Sequence, residues 1–125
     1  MASFTKFEDI IAWQKARALT NRIFHLTKTG DMARDFCLRD QIRRATISIM
    51  ANVAEGFDRY GLKEVHQFHS IAKASCAELR SHLYIALDTK QILQDDFDEV
   101  CERSNEVIRL ISGLHSSIEK QCKET

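Results

Sequence analysis

Two histidines, His66 and His69, stand three positions apart in a segment with helical periodicity. Side chains at this spacing share one face of a helix, where two imidazoles can bind the same zinc ion. A zinc site needs further ligands, and no aspartate, glutamate or cysteine completes it at a suitable spacing. The chain also has no glycine-rich phosphate-binding loop and no dinucleotide fingerprint. We therefore predict no metal site and no cofactor.

Arg109 and His115 form a second pattern with chemical potential, because they are separated by the five residues LISGL. The spacing fits the loose Arg-to-His motif of HEPN-type helical ribonucleases. There the imidazole would serve as the acid-base and the guanidinium would hold the scissile phosphate. However, Leu110 replaces the polar residue that usually follows the arginine, and His115 falls on an apolar stripe. We predict no catalytic residues and keep the ribonuclease as an alternative.

A polar strip runs along one side of the segment between residues 36 and 57. Its members recur at spacings of three and four: Gln41, Arg44, Ser48, Asn52 and Glu55. We expect this strip to meet three residues that share one side of the next helix: Ser75, Glu78 and His82. These side chains would suit a ligand pocket, but a polar network that fixes helix register or a subunit seam is favoured, since buried charges persist only when paired. We predict an ion pair between Arg44 and Glu55 or Glu78.

Basic and aromatic side chains further along the chain suggest a surface for RNA. One strip of the third predicted helix carries His66, His69, Lys73, Arg80 and Tyr84. Arginine makes bidentate contacts with phosphate, and tyrosine stacks on bases. With two arginines of the preceding helix, the candidate RNA-contacting residues are Arg39, Arg43, His66, Lys73, Arg80 and Tyr84. A solvated helix face is the simpler interpretation, and we favour it.

The elements that must position these residues are helical. The chain has no proline and only four glycines, a composition typical of helical proteins. The periodicity of apolar residues predicts helices over residues 7–27, 36–57, 63–89 and 95–121, with Gly30 closing the first and a loop after it. Four long helices with short links predict a single all-α domain over residues 1–125, an up-down-up-down four-helix bundle.

The second predicted helix has two apolar faces. Its core-facing stripe consists of Leu38, Ile42, Ala45, Ile49 and Val53. Ile47, Ala51 and Ala54 lie roughly opposite, where a simple surface helix would be polar. A helix with two apolar faces needs two partners, so the pattern predicts self-association. The candidate interface and network residues are Arg44, Ile47, Ser48, Ala51, Asn52, Ala54, Glu55, Ser75 and Glu78.

Charge and cysteine usage narrow the function classes. The chain carries 18 basic and 18 acidic residues, which argues against a strong general affinity for nucleic acid. The charge is uneven: residues 1–90 carry 14 Lys/Arg against 10 Asp/Glu, and residues 91–125 carry 4 against 8. The four cysteines lack metal-type spacing and indicate reduced thiols. With no membrane-spanning apolar run and no signal-peptide core, we expect a cytoplasmic protein without a membrane partner.

The two-faced helix also contains a recognisable pattern. Residues 38–57 hold a Leu-x-x-Gln-Ile-Arg-Arg-Ala run, then Ser-Ile, then Asn-Val-Ala-Glu-Gly-Phe. Matching residues upstream are Phe7, Glu8, Trp13, Gln14, Lys15 and Ala16. Matching residues downstream are Phe68, Ile71, Ala72, Ser75, Glu78 and Leu79. In these features the chain resembles the four-helix-bundle family encoded by intervening sequences in bacterial 23S rRNA genes, whose members are often called S23 ribosomal proteins.

This resemblance implies a compact bundle whose members assemble as ring-like pentamers. A relative of that family, the accessory protein of diversity-generating retroelements, forms a pentameric barrel and binds RNA and a reverse transcriptase. That relative is strongly basic, whereas this chain is neutral. The first hypothesis is therefore a non-enzymatic homo-oligomer, most simply a pentamer, associated with RNA or ribosome-related RNA. The alternatives are a protein-binding adaptor, such as a retroelement accessory protein, and a HEPN-like ribonuclease that uses Arg109 and His115.

Overall fold

The computed structural model describes residues 5–58 and 62–124, apart from the side chains of residues 62, 119 and 121–124. In these ranges the chain is all-α and contains no strand. A short 3-10 turn, Phe7–Asp9, precedes α1 (Ile11–Leu26), α2 (Gly30–Arg34), α3 (Phe36–Phe57), α4 (Leu62–Asp88) and α5 (Gln94–Glu124). Within the described part, none of the helices has the length and apolar character needed to cross a membrane.

The four long helices pack around one apolar core. α1 contacts α3 and α5, and α4 contacts the same two helices from the other side. The most deeply buried large side chains come from all four: Leu19, Ile23, Ile42, Ile49, Leu79, Leu83, Val100, Val107 and Ile111. Burial of an aliphatic side chain of this size contributes roughly 1.5–3 kcal/mol. The sequence-based prediction of an all-α helical bundle is confirmed.

The first helix starts later than the sequence predicts. Ile10 adopts an extended backbone conformation, with φ −77° and ψ 121°, and therefore separates the 3-10 turn from α1. Its side chain is buried against the core. The Gln14 side chain donates a hydrogen bond to the Glu8 carbonyl at 2.9 Å, which holds the 3-10 turn against α1. Burial of Ile10 thus accounts for an interruption that helical periodicity alone does not reveal.

The segment expected to be a loop contains α2. Met32, the single large apolar residue of this helix, is almost fully buried and packs on the core. Gly30 has φ +67°, a left-handed conformation that glycine adopts without strain. It begins α2, so the prediction that it closes the first helix is wrong. α1 ends at Leu26, and the buried Thr27 hydroxyl donates to the Ile23 carbonyl at 2.8 Å.

Asp35 connects the start of α3 with the link between α4 and α5. Its Oδ1 accepts a hydrogen bond from the Leu38 backbone N–H at 3.1 Å, which caps α3. Its Oδ2 accepts another from the Gln91 side chain at 3.0 Å. The bonds from Gln91 and then Leu38 lower the pKa of the Asp35 carboxyl. One side chain thus fixes the beginning of the two-faced helix.

Candidate functional site

The second apolar face of α3 is exposed in the single chain. Ile47 is 50% exposed, Ala51 is exposed and Ala54 is half-buried. Ile71 of α4 is 40% exposed and lies one turn from Ser75, on the side of α4 that meets α3. Exposed apolar side chains therefore occur on both α3 and α4. We call it the outer face, consisting of Ile47, Ala51, Ala54 and Ile71.

A polar network lies beside the outer face, between α3 and α4. The Ser48 and Ser75 hydroxyls are 2.8 Å apart, and Ser75 is buried. The Asn52 side-chain N–H donates to the Ser48 carbonyl at 2.8 Å and to the Ser48 hydroxyl at 3.1 Å. The structure thus brings two members of the predicted strip, Ser48 and Asn52, together with Ser75 of α4. Because the two hydroxyls satisfy each other, this contact fixes the register of α3 against α4.

The predicted ion pair of Arg44 does not form within the described part of the chain. Arg44 and Glu55 are exposed, and neither takes part in an ion pair there. Glu78 is exposed too, and its Oε1 lies 3.4 Å from His82 Nε2. Exposed charges gain little from pairing, so nothing in a single chain forces these side chains together. All three lie at the edge of the outer face.

The arginines near the start of α3 face α1 and α2. The Arg43 Nε donates to the Thr27 hydroxyl at 2.8 Å, and its guanidinium lies 4.5 Å from the centre of the Phe24 ring. The Arg39 guanidinium lies 4.8 Å from the centre of the Phe36 ring and donates to the Asp40 carboxylate and the Ala33 carbonyl. Both guanidinium groups are held by local contacts.

The cationic and aromatic residues of α4 face α5 instead. Arg80 Nη1 donates to the Asn105 Oδ1 at 3.3 Å, and the Tyr84 ring packs edge-to-face on Phe97 with ring centres 4.8 Å apart. Because Arg39 and Arg43 contact α1 and α2 whereas Arg80 and Tyr84 contact α5, the predicted RNA-contacting residues lie in two separate groups. Lys73 is half-buried and His66 exposed on the same α4 strip.

A groove lies between α4 and α5 beside Arg80 and Tyr84. We call it the α4–α5 notch. Its volume is about 430 Å³. Its walls are Ala77, Arg80, Ser81, Tyr84, Phe97, Cys101 and Asn105. Burial raises the pKa of the Cys101 thiol, so this side chain contributes an uncharged wall. The notch therefore combines one guanidinium, one exposed phenol ring and one amide.

Three histidines meet near the start of α4. His66 Nδ1 lies 3.1 Å from His115 Nε2, and the His69 and His115 ring centres are 5.5 Å apart. His69 is only 2% exposed, so its assignment to a solvent-facing strip is wrong. Burial, with the nearby His115, Lys73 and His66, lowers the pKa of His69 to about 4. No group of metal-ligating side chains in the described ranges is able to hold a metal ion.

Arg109 and His115 do not point toward a common substrate position. Arg109 is exposed, and its Nη2 donates to the Glu102 carboxylate at 3.1 Å. His115 is half-buried against the histidines of α4. Six positions along α5 correspond to a rotation of about 240°, which separates the two side chains around the helix. This arrangement gives no support to the ribonuclease alternative.

Sequence comparison agrees with the pattern in α3. The profile of the 23S rRNA-intervening sequence protein family matches residues 8–113. The chain belongs to this family. No curated protein matches the sequence. The matched range includes the outer face, the polar network and the α4–α5 notch, and it ends shortly before His115 on α5.

A solved structure has the same fold. It is the crystal structure, at 1.70 Å resolution, of a protein with unknown function from the S23 ribosomal protein family of Bacteroides thetaiotaomicron VPI-5482. The two chains superpose with a TM-score of 0.79 at 21% sequence identity. The match covers 85% of this chain and 96% of the other. At 21% identity, this likeness shows that the two chains share a fold and nothing further.

The residues that α5 contributes to the notch were not predicted from the sequence. Phe97 is buried, and Asn105 stands between the polar residues Ser104 and Glu106. Helical periodicity assigns a residue to a face but does not say which residue of the neighbouring helix it meets. The sequence around Asn105 therefore gives no signal that marks it as a notch residue.

Proposed function

We propose that this 23S rRNA-intervening sequence protein is a non-enzymatic subunit that assembles through its outer face into a ring-like homo-oligomer, most simply a pentamer. The observation that carries the proposal is the exposed apolar surface centred on Ile47. Single exposed isoleucines are common, but a second apolar face on one helix, with a further exposed isoleucine on the adjacent helix, is typical of an interaction site. The proposed assembly associates with RNA in the cytoplasm, where Cys37, Cys76 and Cys101 remain free thiols.

We propose an up-down-up-down topology for the subunit. Arg22, near the end of α1, donates to Asp96 and Glu99, near the start of α5, at 2.8 Å in each case. Gly56, near the end of α3, approaches Phe68 and His69, near the start of α4. These contacts support antiparallel neighbours. With this topology the outer face lies on the adjacent helices α3 and α4.

The charged edge of the outer face completes the proposed interface. Arg44 is exposed without an ion-pair partner in the described part of its own chain, and Glu55 and Glu78 are exposed nearby. We propose that Arg44 pairs with Glu55 or Glu78 of a neighbouring copy. Such pairs would set the orientation of neighbours, and apolar burial would supply most of the stability.

A charge-swap experiment tests the intersubunit ion pair. Arg44→Glu should reduce the fraction of assembled protein in analytical ultracentrifugation. Combining it with Glu55→Arg or Glu78→Arg should restore assembly, because the swapped charges attract again. Arg34→Glu, on the exposed surface of α2, serves as the matched control and should leave assembly unchanged. If neither double variant recovers, the proposed pairing is wrong.

The proposed RNA association depends on repetition around the ring. One subunit has zero formal net charge and presents its cations in separate places. Several copies in a ring repeat the same weak contacts, and simultaneous engagement increases the overall affinity. Purification with and without nuclease, followed by light scattering and absorbance at 260 nm, tests this point. Co-purifying RNA whose affinity falls with added salt is the expected result. An assembled protein that binds no RNA would favour the alternative of a protein-binding adaptor.

A further inference from the structure

Arg80 is a partly buried cation, and no carboxylate in the described part of the chain forms an ion pair with it. Its one described hydrogen bond, at 3.3 Å, goes to the neutral amide oxygen of Asn105. Its Nε is buried and has no acceptor. Asp98, which lies close enough to influence Cys101, accepts its hydrogen bond from Gln94. A guanidinium that is desolvated but unpaired has a free-energy cost that a bound anion would offset.

Tyr84 stands one turn from Arg80 and offers a flat apolar surface. Its ring is 55% exposed, although its edge-to-face contact with Phe97 restrains it. Residues four apart on a helix lie about 5–6 Å apart at their Cβ atoms. A ribose separates the phosphate and base of a nucleotide by a comparable distance. Arg80 and Tyr84 are thus spaced for the two ends of one nucleotide.

The size and chemistry of the α4–α5 notch suit such a ligand. Its volume of about 430 Å³ lies within the range of small-molecule sites. Asn105 supplies an amide group on the α5 wall of the notch. Base–aromatic stacking and a guanidinium–phosphate contact are the usual elements of single-stranded RNA recognition. An aliphatic anion would leave the tyrosine unused, and an uncharged ring would leave the guanidinium unpaired.

We propose that the α4–α5 notch binds one nucleotide, with the phosphate on Arg80 and the base on Tyr84. The inference rests on the proposed RNA association and names the site where a strand would be held. Binding of one nucleotide at a single notch does not require assembly through the outer face, because the notch lies between α4 and α5 of one subunit. The same chemistry is present in a free mononucleotide and in a single-stranded RNA, so the test includes both.

Isothermal titration calorimetry of the full chain tests the site with defined probes. These are adenosine 5′-monophosphate, adenosine, ribose 5-phosphate and a five-nucleotide oligoadenylate. The monophosphate should bind more tightly than adenosine or ribose 5-phosphate, because each of these lacks one of the two contacts. If the notch binds a nucleotide that is part of an RNA strand, the oligonucleotide should bind at least as tightly as the monophosphate. Weaker oligonucleotide binding would assign the notch to free mononucleotides.

Variants of the notch provide the second arm. Arg80→Gln should weaken monophosphate binding by about tenfold or more, since hydrogen bonds to charged groups are the strong ones. Tyr84→Leu should weaken it by about fivefold or more through lost stacking. Asn105→Asp retains the arginine but gives it a carboxylate partner, and should weaken binding while leaving the fold intact. Arg17→Gln is the matched control, because Arg17 lies beside an aromatic ring, Trp13, on the distant α1.

The possible outcomes distinguish the nucleotide site in the notch from the RNA association of the protein. Wild-type protein that binds no monophosphate, or notch variants that bind it as wild type does, would overturn the inference. If those variants also bind the oligonucleotide normally, RNA association stands and only its location is wrong. If the wild type binds neither probe, the RNA association fails with the notch. Circular dichroism of each variant distinguishes lost binding from lost folding.

Discussion

His69 is a neutral base in the interior of the bundle, beside the exposed His66 and the half-buried His115. Its pKa falls from 6.5 to about 4, mainly because burial disfavours the charged form, with smaller effects from His115, Lys73 and His66. At pH 7 both the folded and the unfolded chain hold it neutral. Below pH 6.5 the unfolded chain binds a proton that the folded chain resists, so stability is lost as the pH falls to about 4.

The first prediction follows from this linkage. Between pH 6.5 and pH 4, His69 should lower the free energy of unfolding by about 3 kcal/mol. Urea unfolding across this range should show the loss, and His69→Leu should remove most of it while remaining folded at pH 7. His25→Asn, an exposed histidine of α1, is the control and should retain the wild-type profile. An unchanged pH profile in His69→Leu would contradict the assignment.

The Ser48–Ser75 pair gives a second prediction. Ser75→Ala should destabilise the protein by about 1 kcal/mol, because it leaves the partner hydroxyl with fewer bonds. Removing both hydroxyls should lower the free energy of unfolding by less than the sum of the single changes, because neither hydroxyl is left without its partner. A double-mutant cycle by thermal unfolding measures the coupling, with Ser70→Ala on the exposed side of α4 as the control. Strict additivity would show that the 2.8 Å contact has no energetic role.

Gly56 determines how closely α3 and α4 approach near the end of α3. Gly56 is buried within α3, one residue before the helix ends at Phe57. A Cβ at this position would lie 3.4 Å from the Phe68 Cβ and 3.5 Å from the His69 ring. These distances correspond to van der Waals contact, so a methyl group fits and a larger side chain does not.

The third prediction concerns substitutions at this helix crossing. Gly56→Ala should change the free energy of unfolding by less than about 1 kcal/mol, because improved helix propensity offsets the tight contact. Gly56→Leu should cost about 1–3 kcal/mol through overpacking. Gly113→Leu on α5 is the matched control, since nothing lies within 4 Å of a Cβ there. Equal effects of the two leucine substitutions in chemical denaturation would contradict the proposed close approach.

At the element scale, sequence periodicity predicted the faces of the long helices. Ile42, Ile49 and Val53 are fully buried, as their spacing in α3 indicates, and Ile47 on the opposite face is exposed. Local spacing determines these faces, so one chain suffices to assign them. The short helix α2 was missed because its burial depends on the single residue Met32, which leaves no periodic signal.

The candidate site was predicted only in part for a related reason. Arg80 and Tyr84 share a strip of α4 and could be identified from spacing. Asn105 and Phe97 could not, because their contact with that strip depends on the register between α4 and α5. Arg43 was grouped with Arg80 by charge, yet it packs on Phe24 of α1. The pattern of charges along the sequence does not show which helices lie next to each other in the fold.

In the whole molecule, the proposed assembly surface and the proposed ligand site lie in different places. The proposed assembly uses the outer face on α3 and α4, and the proposed nucleotide site lies between α4 and α5. A ring would repeat the notch once per subunit, so modest affinity at each copy could combine along one strand. The zero net charge of the chain is compatible with such a protein, since the contacts are local and not a general electrostatic field.

The mass of the Ile47→Glu variant in solution tests whether the protein assembles through the outer face. Multi-angle light scattering should give wild-type protein a mass several times 14.4 kDa and shift Ile47→Glu toward that single-chain mass. Ile11→Glu is the control, because Ile11 is also 50% exposed but lies at the start of α1. It should retain the wild-type mass. A wild-type protein of single-chain mass, or an Ile47→Glu variant that assembles like wild type, would contradict assembly through the outer face.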